Sequence, residues 1–97
     1  MHIVCTKQNP PTPVLIRTNR GNTVLVFENV EDGNYYLNFR GGQFCALRAL
    51  PETIRENPAA FSSISKMLYL NTHNAVEMLL NDAKTFPYEE FTVPLPK

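Results

Sequence analysis

Turn-forming residues punctuate the first half of the chain about every ten positions, with short stretches rich in β-branched and aromatic side chains between them. That spacing predicts an antiparallel β-meander. The first strand covers His2–Thr6 and ends before Pro10, Pro11 and Pro13, none of which can donate into a ladder. Val14–Thr18 and Thr23–Val30 follow as strands around a turn at Asn19-Arg20-Gly21-Asn22. Glu31-Asp32-Gly33-Asn34 reads as a hairpin turn, because Asp-Gly suits the positive φ of type I′. Tyr35–Arg40 is then a fourth strand, Gly41-Gly42 a tight turn and Gln43–Leu50 a fifth strand.

After residue 50 the period lengthens. Asn57-Pro58 is a cap followed by proline at a first helical position, and Ala60, Phe61, Ile64, Met67 and Leu68 recur at helical spacing as far as Leu70. Asn74 with Glu77 resembles a capping box for a second helix carrying Val76, Leu79, Leu80 and Ala83, stopped by Phe86-Pro87. Phe91–Val93 reads as a last strand. The expected fold is therefore α+β, with an antiparallel β-meander of about five strands, flat or curled toward a barrel, then two helices and a short C-terminal strand. It forms one domain over residues 1–97, divided into a meander (1–50), a helical pair (51–86) and a C-terminal strand and tail (87–97).

Two-residue loops at Arg20-Gly21, Asp32-Gly33 and Gly41-Gly42 would set the register and hence the faces of this sheet. One face collects Leu15, Val24, Val26, Val30, Tyr35, Leu37, Phe39, Phe44 and Ala46. The other collects Val14, Ile16, Leu25, Phe27, Tyr36, Cys45 and Leu47, interleaved with Asn29, Asn38 and Arg40. Both faces are apolar, whereas a half-solvated sheet alternates apolar with polar. Two short helices cover one face, so the second must be closed by curling, by the terminal strands or by a partner. Left open, it would exceed the apolar patch of about a few hundred Å² usual on a soluble monomer. On that expectation Phe27, Tyr36, Asn38 and Arg40 are the partner-binding residues, since aromatic and arginine side chains dominate binding hot spots. The same face could close a homodimer.

Composition narrows the picture. Apolar residues make up 43% of the 97, enough for a core without disulfides or metal. Nine basic and nine acidic residues balance, which argues against partners chosen by bulk charge, although residues 1–50 carry five basic to three acidic and residues 51–97 four to six. The N-terminus lacks the basic and long apolar regions of a secretory signal, and no apolar run is long enough to span a bilayer. Cys5 and Cys45 are accordingly expected as free thiols in a reducing, cytoplasmic compartment of a bacterium or host cell.

Candidate chemistry is sparse. His2, Cys5, Cys45 and His73 are the whole supply of soft ligands, and none share a metal-site spacing except His2-Ile3-Val4-Cys5 at the chain terminus, which chance explains. A Cys45–His73 nucleophile pair is the one thiol chemistry open to the chain, against packing as the ordinary role of Cys45. Ser62, Ser63 and Ser65 have no nucleophile-elbow context, and Glu89-Glu90 on a strand would point to opposite faces. Arg40-Gly41-Gly42-Gln43 is too short for a phosphate loop. A helix-turn-helix reading fails because the second helix offers Lys84 against Glu77 and Asp82.

No catalytic residues, metal or cofactor are therefore assigned. The sequence points to a small non-enzymatic protein-binding module of the inhibitor, immunity, viral or phage anti-defence, or adaptor type, acting through a sheet face on another protein. The alternatives are a single-stranded nucleic-acid or nucleotide binder using the aromatic and arginine side chains of 35–40, and a small Cys-dependent enzyme.

Overall fold

The computed structural model describes residues 1–18 and 21–96. The chain folds as α+β around an open, mixed six-stranded sheet. Its strands are β1 (His2–Thr6), β2 (Leu15–Thr18), β3 (Gly21–Phe27), β4 (Cys45–Ala49), β5 (Lys66–Leu70) and β6 (Thr92–Pro94). Four helices connect them, α1 (Val30–Phe39), α2 (Leu50–Glu56), α3 (His73–Asn81) and α4 (Tyr88–Phe91), with a 3₁₀ turn at Pro58–Phe61.

The strand order is β4-β1-β3-β5-β6, and β2 shares with β1 the same edge of β3. β3 and β5 run parallel, from Thr23 beside Lys66 to Phe27 beside Leu70, while β1 is antiparallel to both β3 and β4. β4, β3 and β5 thus all point one way, which corrects the purely antiparallel meander. The chain goes from β3 to β4 over one face through α1 and returns from β4 to β5 over the other through α2. Reversing both direction and face keeps the two crossovers of one hand, as parallel connections require.

This winding explains the doubly apolar sheet. On one face Val4, Leu25, Phe27, Leu68 and Leu70 pack beneath Leu37 of α1 and Ala75, Val76 and Leu79 of α3, with Phe86. On the other, Ile3, Cys5, Val24, Val26 and Met67 pack beneath Leu50 of α2, with Phe61, Ile64 and Leu95. A central strand buried on both sides needs a near-continuous apolar run, and Thr23–Phe27 is wholly buried. Each such side chain contributes about 1.5–3 kcal/mol by leaving water. The expectation that helices finish only one face, leaving the other to curling, the terminal strands or a partner, is corrected: α2 and the 3₁₀ turn cover the second face, with Leu95 and Val93 of the C-terminal segment.

Several expected elements change identity. Residues 35–40, expected as a strand, belong to α1. Gly33 makes no hairpin there, since a Cβ on it would overlap the methyls of Leu47, so the glycine lets α1 lie close against β4. Gly41-Gly42 closes a helix instead of a hairpin. Gly41 has φ +106° and Gly42 N–H donates to Leu37 C=O at 2.8 Å, a Schellman cap. The helix expected to reach Leu70 is a single 3₁₀ turn followed by β5, because Met67, Leu68 and Leu70 fill the two sides of a central strand. α2 was missed, although Pro51 in its first turn marks its start. For α3 the cap is Thr72, whose Oγ1 accepts from Ala75 N–H at 3.2 Å, and the helix ends at Asn81.

Other expectations hold. β1 is found over His2–Thr6, and β2 and β3 form an antiparallel pair. Asn19 and Arg20 of the expected turn lie outside the described residues. The register pairs Thr18 with Gly21 and Leu15 with Val24, two residues from the expected one, and an even shift leaves the face assignment intact. No described helix is long and apolar enough to cross a membrane.

Candidate functional site

The four residues expected to meet a partner are separated by the conversion of 35–40 to helix. Phe27 is fully buried, and the Tyr36 ring packs on it at a centroid distance of 5.5 Å, so both serve the core between α1 and the sheet. Neither forms an open face, which corrects their assignment to a sheet-borne contact surface. Asn38 and Arg40 are exposed on the last turn of α1 and just beyond it.

What the helix exposes there is more apolar than its sequence neighbours indicate. A strand would have put Phe39 on a face with Tyr35 and Leu37. The helical turn instead buries Leu37, sets Tyr35 edge-on to Phe39 at a centroid distance of 5.2 Å and leaves Phe39 64% exposed. The Schellman cap then turns the chain outward, and Phe44, immediately before β4, is 74% exposed. Every residue from 38 to 44 is exposed. Phe39 is a wall common to two recesses. One, of about 410 Å³, is bounded by Leu37, Gly42 and Phe44, and the other, of about 310 Å³, by Tyr35, Arg40, Glu77 and Leu80. Beside Glu77, two basic side chains border this surface. Arg40 Nη2 donates to Leu80 C=O at 3.4 Å and Lys7 Nζ to Gly42 C=O at 3.2 Å.

A second polar constellation lies at the carboxyl ends of the parallel strands β3 and β5, where α1 and α3 begin. Open sheets with helices on both faces hold ligands at such places. His73, first residue of α3, places Nδ1 2.9 Å from Asp32 Oδ1 and Nε2 3.2 Å from Glu77 Oε1. Glu77 Oε1 also accepts from Tyr35 OH at 2.6 Å, and Asp32 Oδ2 lies 3.4 Å from Asn29 Nδ2. Tyr69 OH donates to Glu28 on the adjoining turn. The hydrogen bond to Asp32, helped by the charges of both carboxylates, raises the His73 pKa above its usual 6.5. As imidazolium it satisfies two carboxylates at once. With both ring nitrogens engaged, the group works as a clamp joining α1 to α3 and has no free base to offer a substrate. Glu77, expected in a capping box, is instead this clamp's bridging carboxylate.

The remaining candidates fall apart spatially. Cys5 lies on the α2 side of the sheet and Cys45 on the α1 side, and both thiols are free. Burial pushes the Cys5 thiol up to about 11, far from a reactive thiolate. His73 is held by Asp32 and Glu77 and makes no hydrogen bond to Cys45. Among the described residues no three His, Cys, Asp or Glu side chains are grouped to hold a metal ion. Compared with protein-family models, curated proteins and solved structures, the chain matches none of them.

Proposed function

We propose that the chain is a small non-enzymatic protein-binding module, of the inhibitor, immunity, anti-defence or adaptor type, that engages its partner with the end of α1 and the turn after it. The observation that carries this reading is the pair of phenylalanines, Phe39 and Phe44, held out in water at 64% and 74% exposure on one short capped turn. Exposing two aromatic rings forgoes burial worth about 1.5–3 kcal/mol each, and side chains of this type form the centres of protein interfaces. Asn38 and Arg40 keep their expected role as contacts, now from a helix end. Phe27 and Tyr36 support the surface from below. The basic rim of Arg40 and Lys7 fits a partner whose apolar recess is ringed by carboxylates.

The nucleic-acid alternative loses its aromatic platform, since Tyr36 faces the core. The Cys-dependent enzyme loses its pairing of Cys45 with His73. The test is affinity capture with tagged wild type beside Phe39→Ser, followed by titration of the recovered protein. The reading expects a partner held by wild type and bound at least about tenfold more weakly by Phe39→Ser, the weight of a modest hot spot. Equal binding by both, or no protein retained by wild type, would reject it.

A further inference from the structure

The ladder between β1 and β4 determines which backbone groups of β4 face outward. Lys7 N–H donates to Phe44 C=O at 3.2 Å and Leu50 N–H to Met1 C=O at 3.1 Å. In the register that pairs His2 with Ala49 and Thr6 with Cys45, these bonds make Phe44, Ala46, Arg48 and Leu50 the residues bonded to β1. Cys45, Leu47 and Ala49 therefore point their N–H and C=O groups at the open edge of the sheet. Among the described residues, two of those six groups are used within the chain. Cys45 N–H donates to Gly41 C=O at 3.0 Å, and Ala49 C=O accepts from Thr53 Oγ1 at 2.8 Å. Left over are the N–H groups of Leu47 and Ala49 and the C=O groups of Cys45 and Leu47.

We propose that the chain dimerises by antiparallel pairing of β4 with β4 of a second copy, about a two-fold axis at Leu47. Under that axis the leftover groups match one another. Leu47 N–H of each copy meets Leu47 C=O of the other, and each Ala49 N–H meets a Cys45 C=O. The remaining bond of the ladder would join Cys45 N–H to Ala49 C=O, the two groups already occupied. A slip of two residues in either direction sets an occupied group against a free one, so the pattern selects both the register and a copy of itself as occupant.

Side chains agree with this register. It sets Phe44 beside Leu50 of the second copy, where Met1, Leu50, Pro51 and Ile54 line an apolar hollow of about 340 Å³. Residues directly opposite in an antiparallel pair share a face, so the exposed ring and the hollow meet. Arg48 falls opposite Ala46, and no like charges are opposed directly. The other edge of the sheet is blunted, because β6 has three residues and Pro94 and Pro96 at its end. The pairing draws on Phe44, one of the two rings of the proposed partner surface, and leaves Phe39 uncovered, so Ala49→Pro tests the dimer and Phe39→Ser the partner surface separately.

Sedimentation equilibrium of wild type and Ala49→Pro tests it. Ala49 has φ −63°, already proline's own value, and its N–H points outward, so the substitution removes the dimer donor while sparing the bonds to β1. Loss of two hydrogen bonds per dimer should weaken association about 30-fold or more, with an unchanged circular dichroism spectrum. Phe44→Asp, at an exposed position, should also favour the monomer and decides the matter if Ala49→Pro misfolds. Wild type that stays monomeric at its highest soluble concentration, or a dimer as tight in both variants as in wild type, overturns the proposal.

Discussion

At the scale of single residues, His73 links stability to pH above about 6. Its pKa is raised in the fold by the hydrogen bond to Asp32 and the charges of Asp32 and Glu77. A group protonated more readily when folded contributes stability that is fully present below its unfolded value, near 6.5, and is lost as pH rises through the raised one. Thermal midpoints should therefore fall as pH rises from about 6 through that raised value, and His73→Gln should flatten that part of the profile. An equal slope in the variant would show that the clamp carries no pH dependence. Cys5 is the second residue-scale case. With its thiol pushed up to about 11 by burial, native protein at about pH 8 should take iodoacetamide on Cys45 before Cys5, as peptide mapping would read. The free thiols were legible in the sequence, but the clamp was not, since His73 reads there as one histidine in a linker. The two carboxylates that hold it stand 41 residues upstream and four residues downstream of it.

At the scale of elements, α1 shows why local pattern misleads. Val30–Phe39 contains glycine, two asparagines and three aromatics, a poor helix by propensity, and Asp-Gly followed by alternating rings looks like a hairpin. Packing overrides propensity because the helix buries Gly33 against Leu47, Leu37 in the core and Tyr36 on Phe27. Glu31 and Asp32 in its first turn also suit the positive end of the helix dipole. Glycine was the right punctuation with the wrong meaning. Gly33 serves close approach, and Gly41 serves a cap. A methyl at Gly33 gains about 1 kcal/mol of helix propensity but forces Leu47 to move at about 1–3 kcal/mol. Gly33→Ala should be destabilising overall and Gly33→Val clearly more so. Denaturant midpoints of the two would measure the approach, and a stabilised Gly33→Ala would mean that Leu47 yields freely. β1, the β2–β3 pairing and the existence of α3 were legible, since each rests on local periodicity and turns. The β3–β5 pairing was not, because parallel partners 43 residues apart in sequence leave no local mark.

At the scale of the whole molecule, the doubly apolar sheet was read correctly and explained wrongly. Val24 and Val26 on one side, and Leu25, Phe27, Cys45 and Leu47 on the other, are the faces the register implies. The first side is covered by α2, the 3₁₀ turn and Leu95 and the second by α1 and α3, and reading 35–40 as a strand and passing over 51–56 hid α1 and α2. The consequence is a division of the phenylalanines by duty, and it can be measured. Phe27, Phe61 and Phe86 are buried, Phe61 as the lid of the α2 side, whereas Phe39 and Phe44 stand in water. Phe61→Ala should cost about 3–5 kcal/mol, because the thin cover over Val24 and Val26 cannot collapse into the space left behind. Phe39→Ala and Phe44→Ala should stay within about 0.5 kcal/mol of wild type as monomers. Urea unfolding of the three variants separates the cases. If Phe39→Ala were as costly as Phe61→Ala, the ring would be holding the fold together, and its exposure could no longer be read as a surface kept for a partner.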